Sequence, residues 1–191
     1  GWPGTFDDTA HWSDRLVDLV CGEVGEDAVD RDRVVLVGHS AGGHLALWAA
    51  ARHRLPASSP WRRTAAIPVR GVVSLAGVCD LALAARLRLS DGATQDLMGG
   101  EPLPLADRYA QADPAVLLPS GVRTVLVHGE RDADVPIELS REYARRAAAA
   151  GDAVQVVELA GTGHFEVIDP LATAWSDVTA AVEALLSGQG A

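Results

Sequence analysis

The stretch from Arg33 to Trp48 constrains this chain more than any other. An apolar run, Val34-Val35-Leu36-Val37, breaks at Gly38-His39-Ser40-Ala41-Gly42-Gly43 and restarts as an alanine-rich segment with no helix breaker through Ala51. A short, continuous run of branched apolar residues is what a parallel strand covered on both faces requires. A strand that reverses into a helix within so few residues needs a very tight turn, and Gly38 and Gly42 read as flanking positions that tolerate little but glycine. Ser40 then stands at the point of the turn, its hydroxyl held clear of the sheet, as a candidate nucleophile. The five-residue pattern also arises by chance, so its weight comes from the strand before it and the helix after it.

The remainder of the chain extends that unit. Residues 5–20 read as an amphipathic helix, with Thr5 as N-cap and Asp7 and Asp8 at the positive end of the helix dipole. Its apolar stripe, Trp12, Leu16, Leu19 and Val20, is expected to cover the sheet. Gly22 to Asp32 reads as an acidic loop. Val69–Leu75, Arg123–Val127 and Val154–Leu159 are further strands, and Pro136–Ala150 is a helix ended by Gly151. Asp169 and Pro170 are expected to cap a last helix running to about Leu186. Strands that alternate with helices specify an α/β fold, a parallel sheet flanked by helices, with right-handed crossovers. At 191 residues it is expected to form one domain, 1–191. Residues 77–121 break the rhythm with short helical pieces at Leu81–Leu89, Thr94–Met98 and Leu105–Ala112, a small cap-like helical insertion after the second strand. Insertions at the carboxyl end of a strand in an open α/β sheet are where substrate-binding walls are built.

Charge and composition exclude several classes of partner. The net charge of −10 lacks the clustered basic footprint of a nucleic-acid binder. All 16 basic residues are arginine, a bias that carries no functional message. No apolar run approaches the roughly 18 residues of a membrane span, so no membrane partner is expected. Cys21 and Cys79 fall short of a disulfide framework, read as core residues, and fit a reducing, cytoplasmic compartment. No Cys/His/Asp grouping has metal-ligand spacing, and neither a metal nor a cofactor is implied.

The remaining chemistry is expected in loops at the carboxyl ends of later strands. Two such loops stand out, His128-Gly129-Glu130-Arg131-Asp132-Ala133-Asp134-Val135-Pro136 and Gly161-Thr162-Gly163-His164-Phe165. A serine hydroxyl is a poor nucleophile until a base takes its proton, and the base needs a carboxylate to fix its tautomer. Ser40, Asp132 and His164 supply these three roles in the chain order Ser, Asp, His. Asp134 competes with Asp132 for the role of acid, with helix capping as its alternative role, and Asp80 after the second strand is a further candidate. His164 suits an exposed loop tip. His44, one turn beyond Ser40, is expected to pack beneath the turn, while His39 and His128 read as residues that orient loops.

On these residues the chain resembles the α/β-hydrolase superfamily over essentially its whole length. The segment Gly38-His39-Ser40-Ala41-Gly42-Gly43-His44-Leu45 is similar to the nucleophile elbow of small carboxylesterases and kynurenine formamidase-like hydrolases. The acid loop, His128-Gly129-x-x-Asp132-x-x-Val135-Pro136, also resembles that of the prolyl oligopeptidase catalytic domain. The resemblance implies that the backbone amide of Ala41 serves in an oxyanion hole. It also implies a His-Gly-Gly type loop after an earlier strand, a motif these 191 residues do not contain, so the early strands are expected to lie upstream. The function expected is that of a serine hydrolase cleaving a small-molecule ester or amide through an acyl-enzyme. The alternatives are a peptidase of prolyl oligopeptidase type and a non-catalytic, hydrolase-like binding module.

Overall fold

A computed structural model describes residues 1–188. Four parallel strands, β1 (Val35–His39), β2 (Gly71–Leu75), β3 (Thr124–Gly129) and β4 (Val154–Leu159), form one sheet in the order β1-β2-β3-β4. Register is regular, with Val37 opposite Val73, Val73 opposite Val125, and Val125 opposite Gln155. The helices are α1 (Gly4–Val24), α2 (Ala41–Ala51), α3 (Leu81–Arg86), α4 (Ala93–Met98), α5 (Ala106–Ala112), α6 (Glu138–Ala150) and α7 (Trp175–Leu186).

The period-two alternation of the central strands sorts the core. Val72 and Leu126 point to one face, where they meet Leu47 of α2 and Tyr143 and Ala147 of α6. Val73, Leu75, Val125 and Val127 point to the other and meet Val178, Ala181 and Leu185 of α7. A second apolar body lies beyond α2, where Phe6, Trp48 and Trp61 stack with ring centroids 4.9–5.9 Å apart against Leu81, Met98 and Tyr109. The buried Arg52 guanidinium ties this body together, meeting both oxygens of Asp14 at 2.9 Å and the Trp61 carbonyl at 2.8 Å. The three short helices expected within 77–121 are present as α3, α4 and α5. Hydrogen bonds from Trp48 Nε1 to Gln111 O at 2.7 Å and from His44 Nε2 to Ala112 O at 2.8 Å hold α5 to α2.

Several details differ from the expectations. Helix α1 begins at Gly4 with no side-chain cap and continues to Val24, shortening the acidic loop. It buries Phe6, Ala10 and Cys21, while Trp12, Leu16, Leu19 and Val20 remain 40–56% exposed. The apolar periodicity located a face; among the described residues, nothing covers it. On the same side, among the described residues, β1 pairs only with β2, and Val37 is 48% exposed. Asp169 does not cap α7. Its carboxylate accepts from Leu171 N in a local turn, and the helix starts at Trp175. No helix among the described residues is long and apolar enough to cross a membrane.

Candidate active site

Because the strands are parallel, the loops after β1, β3 and β4 emerge at one end of the sheet. Ser40 follows β1 and is the N-cap residue of α2, with φ 54° and ψ −117°. This region is disfavoured for any residue with a Cβ and persists only where the surroundings enforce it. Three backbone bonds do so: Ser40 N to Leu75 O at 2.9 Å, and Ser40 O accepting from His44 N and Val78 N, both at 3.2 Å. A Cβ on Gly38 would run into the carbonyl of Gly42, whereas one on Gly42 would meet nothing within 4 Å. The close approach therefore constrains Gly38, and the expectation that Gly42 is equally restricted is corrected. The Ala41 amide is the first of α2 and belongs to the first-turn donors left without an intrahelical acceptor. Ser40 and Ala41 open onto a cavity of about 190 Å³, walled by Val78, Leu89, Leu97 and Val135.

The loops after β3 and β4 are fixed to each other by backbone. Glu130 N donates to Leu159 O at 3.0 Å and Arg131 N to Thr162 O at 2.9 Å. A Cβ on Gly129 would strike the Thr162 and Gly163 carbonyls, so only glycine admits this approach. Across the junction His164 Nδ1 donates to Asp132 Oδ2 at 2.7 Å, with the Asp132 side chain fully buried and that of His164 6% exposed. Asp132 Oδ1 accepts from the amides of Asp134 and Val135 at 2.9 and 2.8 Å. The His164 loop reaches back over the sheet end to the elbow, where His39 Nε2 donates to His164 O at 2.8 Å and the two rings lie 4.5 Å apart. Phe165, 62% exposed, sets its ring edge-on to His164 at 5.0 Å.

The structure brings Asp132 and His164 together and sets the elbow of Ser40 beside them through His39. The Ser40 hydroxyl itself makes no hydrogen bond among the described residues. Of the other candidates for the acid, Asp134 stands close by, its carboxylate within 4.8 Å of the ligand atoms of Asp132 and His164, and Asp80 lies apart. Asp134 is exposed, and Asp80 caps α3 at Leu83 N and pairs with Arg146 at 2.8 Å. His44 is buried beneath the elbow as expected, where desolvation lowers its pKa to about 4 and keeps it neutral. His164 is not the exposed tip that its flanking glycines suggested: a Cβ on Gly161 would meet nothing within 4 Å and one on Gly163 the Glu166 carboxylate, and the close packing of this loop is at Gly129. Spacing along the chain also hid a donor set, since ligand atoms of Asp132, Asp134 and His164 lie within 4.8 Å of one another. Both Asp132 oxygens are already engaged in the bonds above. Ser140 on α6, which bonds the buried ring of His128 at 2.7 Å, carried no signal in its helical context.

A parallel sheet with a strained serine between β1 and α2, an aspartate loop after β3 and a histidine loop after β4 is the arrangement of an α/β-hydrolase fold. The BD-FAE family profile matches residues 6–146, well over half of the chain, and the chain belongs to that family. Solved structures of the same fold include a truncated carbohydrate esterase from gut microbiota, with a TM-score of 0.73 at 19% identity, over 97% of this chain and 70% of that one. Esterase 2 of Thermogutta terrifontis, phosphoramylated by tabun, superposes with a TM-score of 0.66 at 21% identity, over 94% of this chain and 63% of that one. An acetyl ester-xyloside bifunctional hydrolase from Caldicellulosiruptor lactoaceticus gives 0.60 at 21% identity, over 97% and 63%. The chain thus spans about two thirds of these proteins. No match was found among curated proteins.

Proposed function

We propose that the protein is a serine hydrolase of small carboxylic esters that works through an acyl-enzyme. Ser40 Oγ attacks the ester carbonyl as His164 Nε2 takes its proton. Asp132 holds the imidazole in the required tautomer, and the Ala41 N–H donates to the oxyanion. The proton then passes to the departing alkoxide, and water attacks the acyl-serine by the same route. The observation that carries this reading is the 2.7 Å Asp132–His164 bond, held on loops that hydrogen-bond back to the elbow of a strained serine.

The cavity supports a short acyl group. At about 190 Å³ it is smaller than the roughly 300–1,000 Å³ of pockets that enclose drug-sized ligands, and its walls are mainly aliphatic. Esters rank ahead of N-formyl anilides because the structural neighbours described above are named as esterases. Tabun modifies one of them covalently, as an activated nucleophile would allow. The test is labelling by a fluorophosphonate probe. Ser40 is expected to be the residue modified, with p-nitrophenyl acetate hydrolysed faster than an N-formyl anilide, and labelling that survives Ser40→Ala would defeat the assignment.

A further inference from the structure

His128, at the end of β3, is fully buried and touches the same carboxylate oxygen as His164. Its Nε2 lies 2.8 Å from Val135 O and 3.3 Å from Asp132 Oδ2, and its Nδ1 lies 2.7 Å from Ser140 Oγ. A carbonyl oxygen only accepts, so Nε2 carries the proton, and Nδ1 accepts from the Ser140 hydroxyl. Asp132 is therefore met by N–H groups on every side: two backbone amides at Oδ1 and two imidazoles at Oδ2. We propose that His128 is a positioning residue for the Asp132–His164 couple: oriented by Ser140, it shares its Nε2 proton between Val135 O and Asp132 Oδ2, fixing the oxygen that His164 Nδ1–H must meet. This proposal rests on the hydrolase reading given above.

The neighbours of His128 fit that role. Glu158 of β4 stands opposite it in register, but its carboxylate turns away to Arg141 at 2.8 and 2.6 Å. His164 faces it from the loop after β4, Asp132 from the loop after β3, Ser140 from α6, and beyond Ser140 lies the buried Cys79 thiol. Desolvation lowers the pKa of His128 and outweighs the opposing pull of Val135 O and Asp132. A neutral ring in this place donates to the carboxylate without adding a second positive charge when His164 becomes imidazolium. A protonated ring there would compete with His164 for the same oxygen.

The test compares Ser140→Ala, Ser140→Thr, His128→Leu and His128→Gln with the unaltered protein, by p-nitrophenyl acetate turnover and fluorophosphonate labelling across pH. Ser140→Ala and His128→Leu are expected to lower kcat about tenfold with KM little changed, the worth of one buried hydrogen bond in the transition state. The rising limb of kcat/KM is expected to move to lower pH, because a wandering carboxylate favours the His164 imidazolium less. Gln keeps an N–H near the place of Nε2 and Thr keeps the hydroxyl, so both are expected to recover part of the loss. A fall in kcat that leaves the pH limb in place and follows the thermal midpoint would overturn the proposal and make His128 a core residue. Should His128→Leu fail to fold, Ser140→Ala decides the matter by the same limb. An unaltered protein that takes no label at Ser40 would defeat the hydrolase reading itself, and this proposal with it.

Discussion

Replacing Ser40 separates the strain of the elbow from its chemistry. At φ 54° and ψ −117° the residue lies in a region open to glycine and costly for any side chain. The cost of such a conformation is about 1–3 kcal/mol, and the extra freedom of glycine in the unfolded chain takes back about 0.5–1 kcal/mol. The Ser40 hydroxyl forms no hydrogen bond among the described residues, so Ser40→Ala removes the nucleophile while leaving the strain and the packing nearly as they are. Ser40→Gly removes both nucleophile and strain. The glycine variant is therefore expected to exceed the alanine variant in stability by about 1 kcal/mol, or about 2–4 °C in Tm for a chain of this size. Urea unfolding followed by circular dichroism gives the difference, provided both variants share one m value. A Ser40→Gly variant no more stable than Ser40→Ala would refute the claim that the elbow stores strain at this residue.

Asp132→Asn is expected to lower turnover on the order of 10⁴-fold, while Asp134→Asn changes it little; the reverse order in steady-state kinetics would move the acid to Asp134. Leu97→Ala enlarges the cavity beside Ser40 and is expected to shift preference toward longer acyl chains, about tenfold or more per added methylene, as read from a p-nitrophenyl ester series. Burial, reinforced by Asp80, raises the pKa of Asp113 to about 7, so its stabilising contribution is complete below about pH 4 and is lost as pH rises toward 7, on the order of 4 kcal/mol in all. Burial lowers the pKa of His44 to about 4, so its contribution is lost as pH falls from about 6.5 toward 4, on the order of 3 kcal/mol. The two offset each other between about pH 4 and 6.5. Stability is expected to fall with pH in His44→Gln and to rise with pH in Asp113→Asn, and parallel slopes in urea titrations would contradict both assignments. Among the described residues, Val37 on the side of β1 away from β2 and Leu16 on α1 form an apolar surface, so the protein is expected to associate with concentration. Sedimentation should show Val37→Lys and Leu16→Glu weakening that association; equal association in every form would place the contact elsewhere.

The strands and the chemistry-bearing loops were legible because their signals are local. A branched apolar run, a glycine break and a breaker-free segment dictate β1, the elbow and α2 within 20 residues, and His128 through Pro136 announces a loop that must leave a strand. What sequence could not carry was the identity of each partner in space. The stripe of Trp12, Leu16, Leu19 and Val20 reports that one side of α1 is apolar without naming what covers it, and the structure buries Phe6, Ala10 and Cys21 instead. Asp169 before Pro170 has the chemistry of a cap, yet the same side chain closes a local turn equally well, and that is what it does. Gly161 and Gly163 suggested freedom and exposure for His164, whereas the second set of contacts, at Gly129, shows a loop pressed onto another loop. Ser140 shows the same limit: one serine on an amphipathic helix gives no sign of the buried ring it holds.

The contact at Gly129 also bears on how this protein could diversify or be re-engineered. The loops carrying Asp132 and His164 share backbone hydrogen bonds and leave no space for a side chain between them, so they form a single inheritable unit. Grafting either loop alone from a relative would mismatch the pair, and insertions at this end of β3 or β4 would misalign a 2.7 Å bond. The walls built by α3 and α4 share no backbone hydrogen bond with these loops among the described residues; α3 is tied to α6 through the Asp80–Arg146 pair and packs by Ala84 on Val135 and Leu139. Sequence libraries aimed at new acyl groups therefore belong in residues 81–98, with 128–135 and 161–165 exchanged together or left untouched.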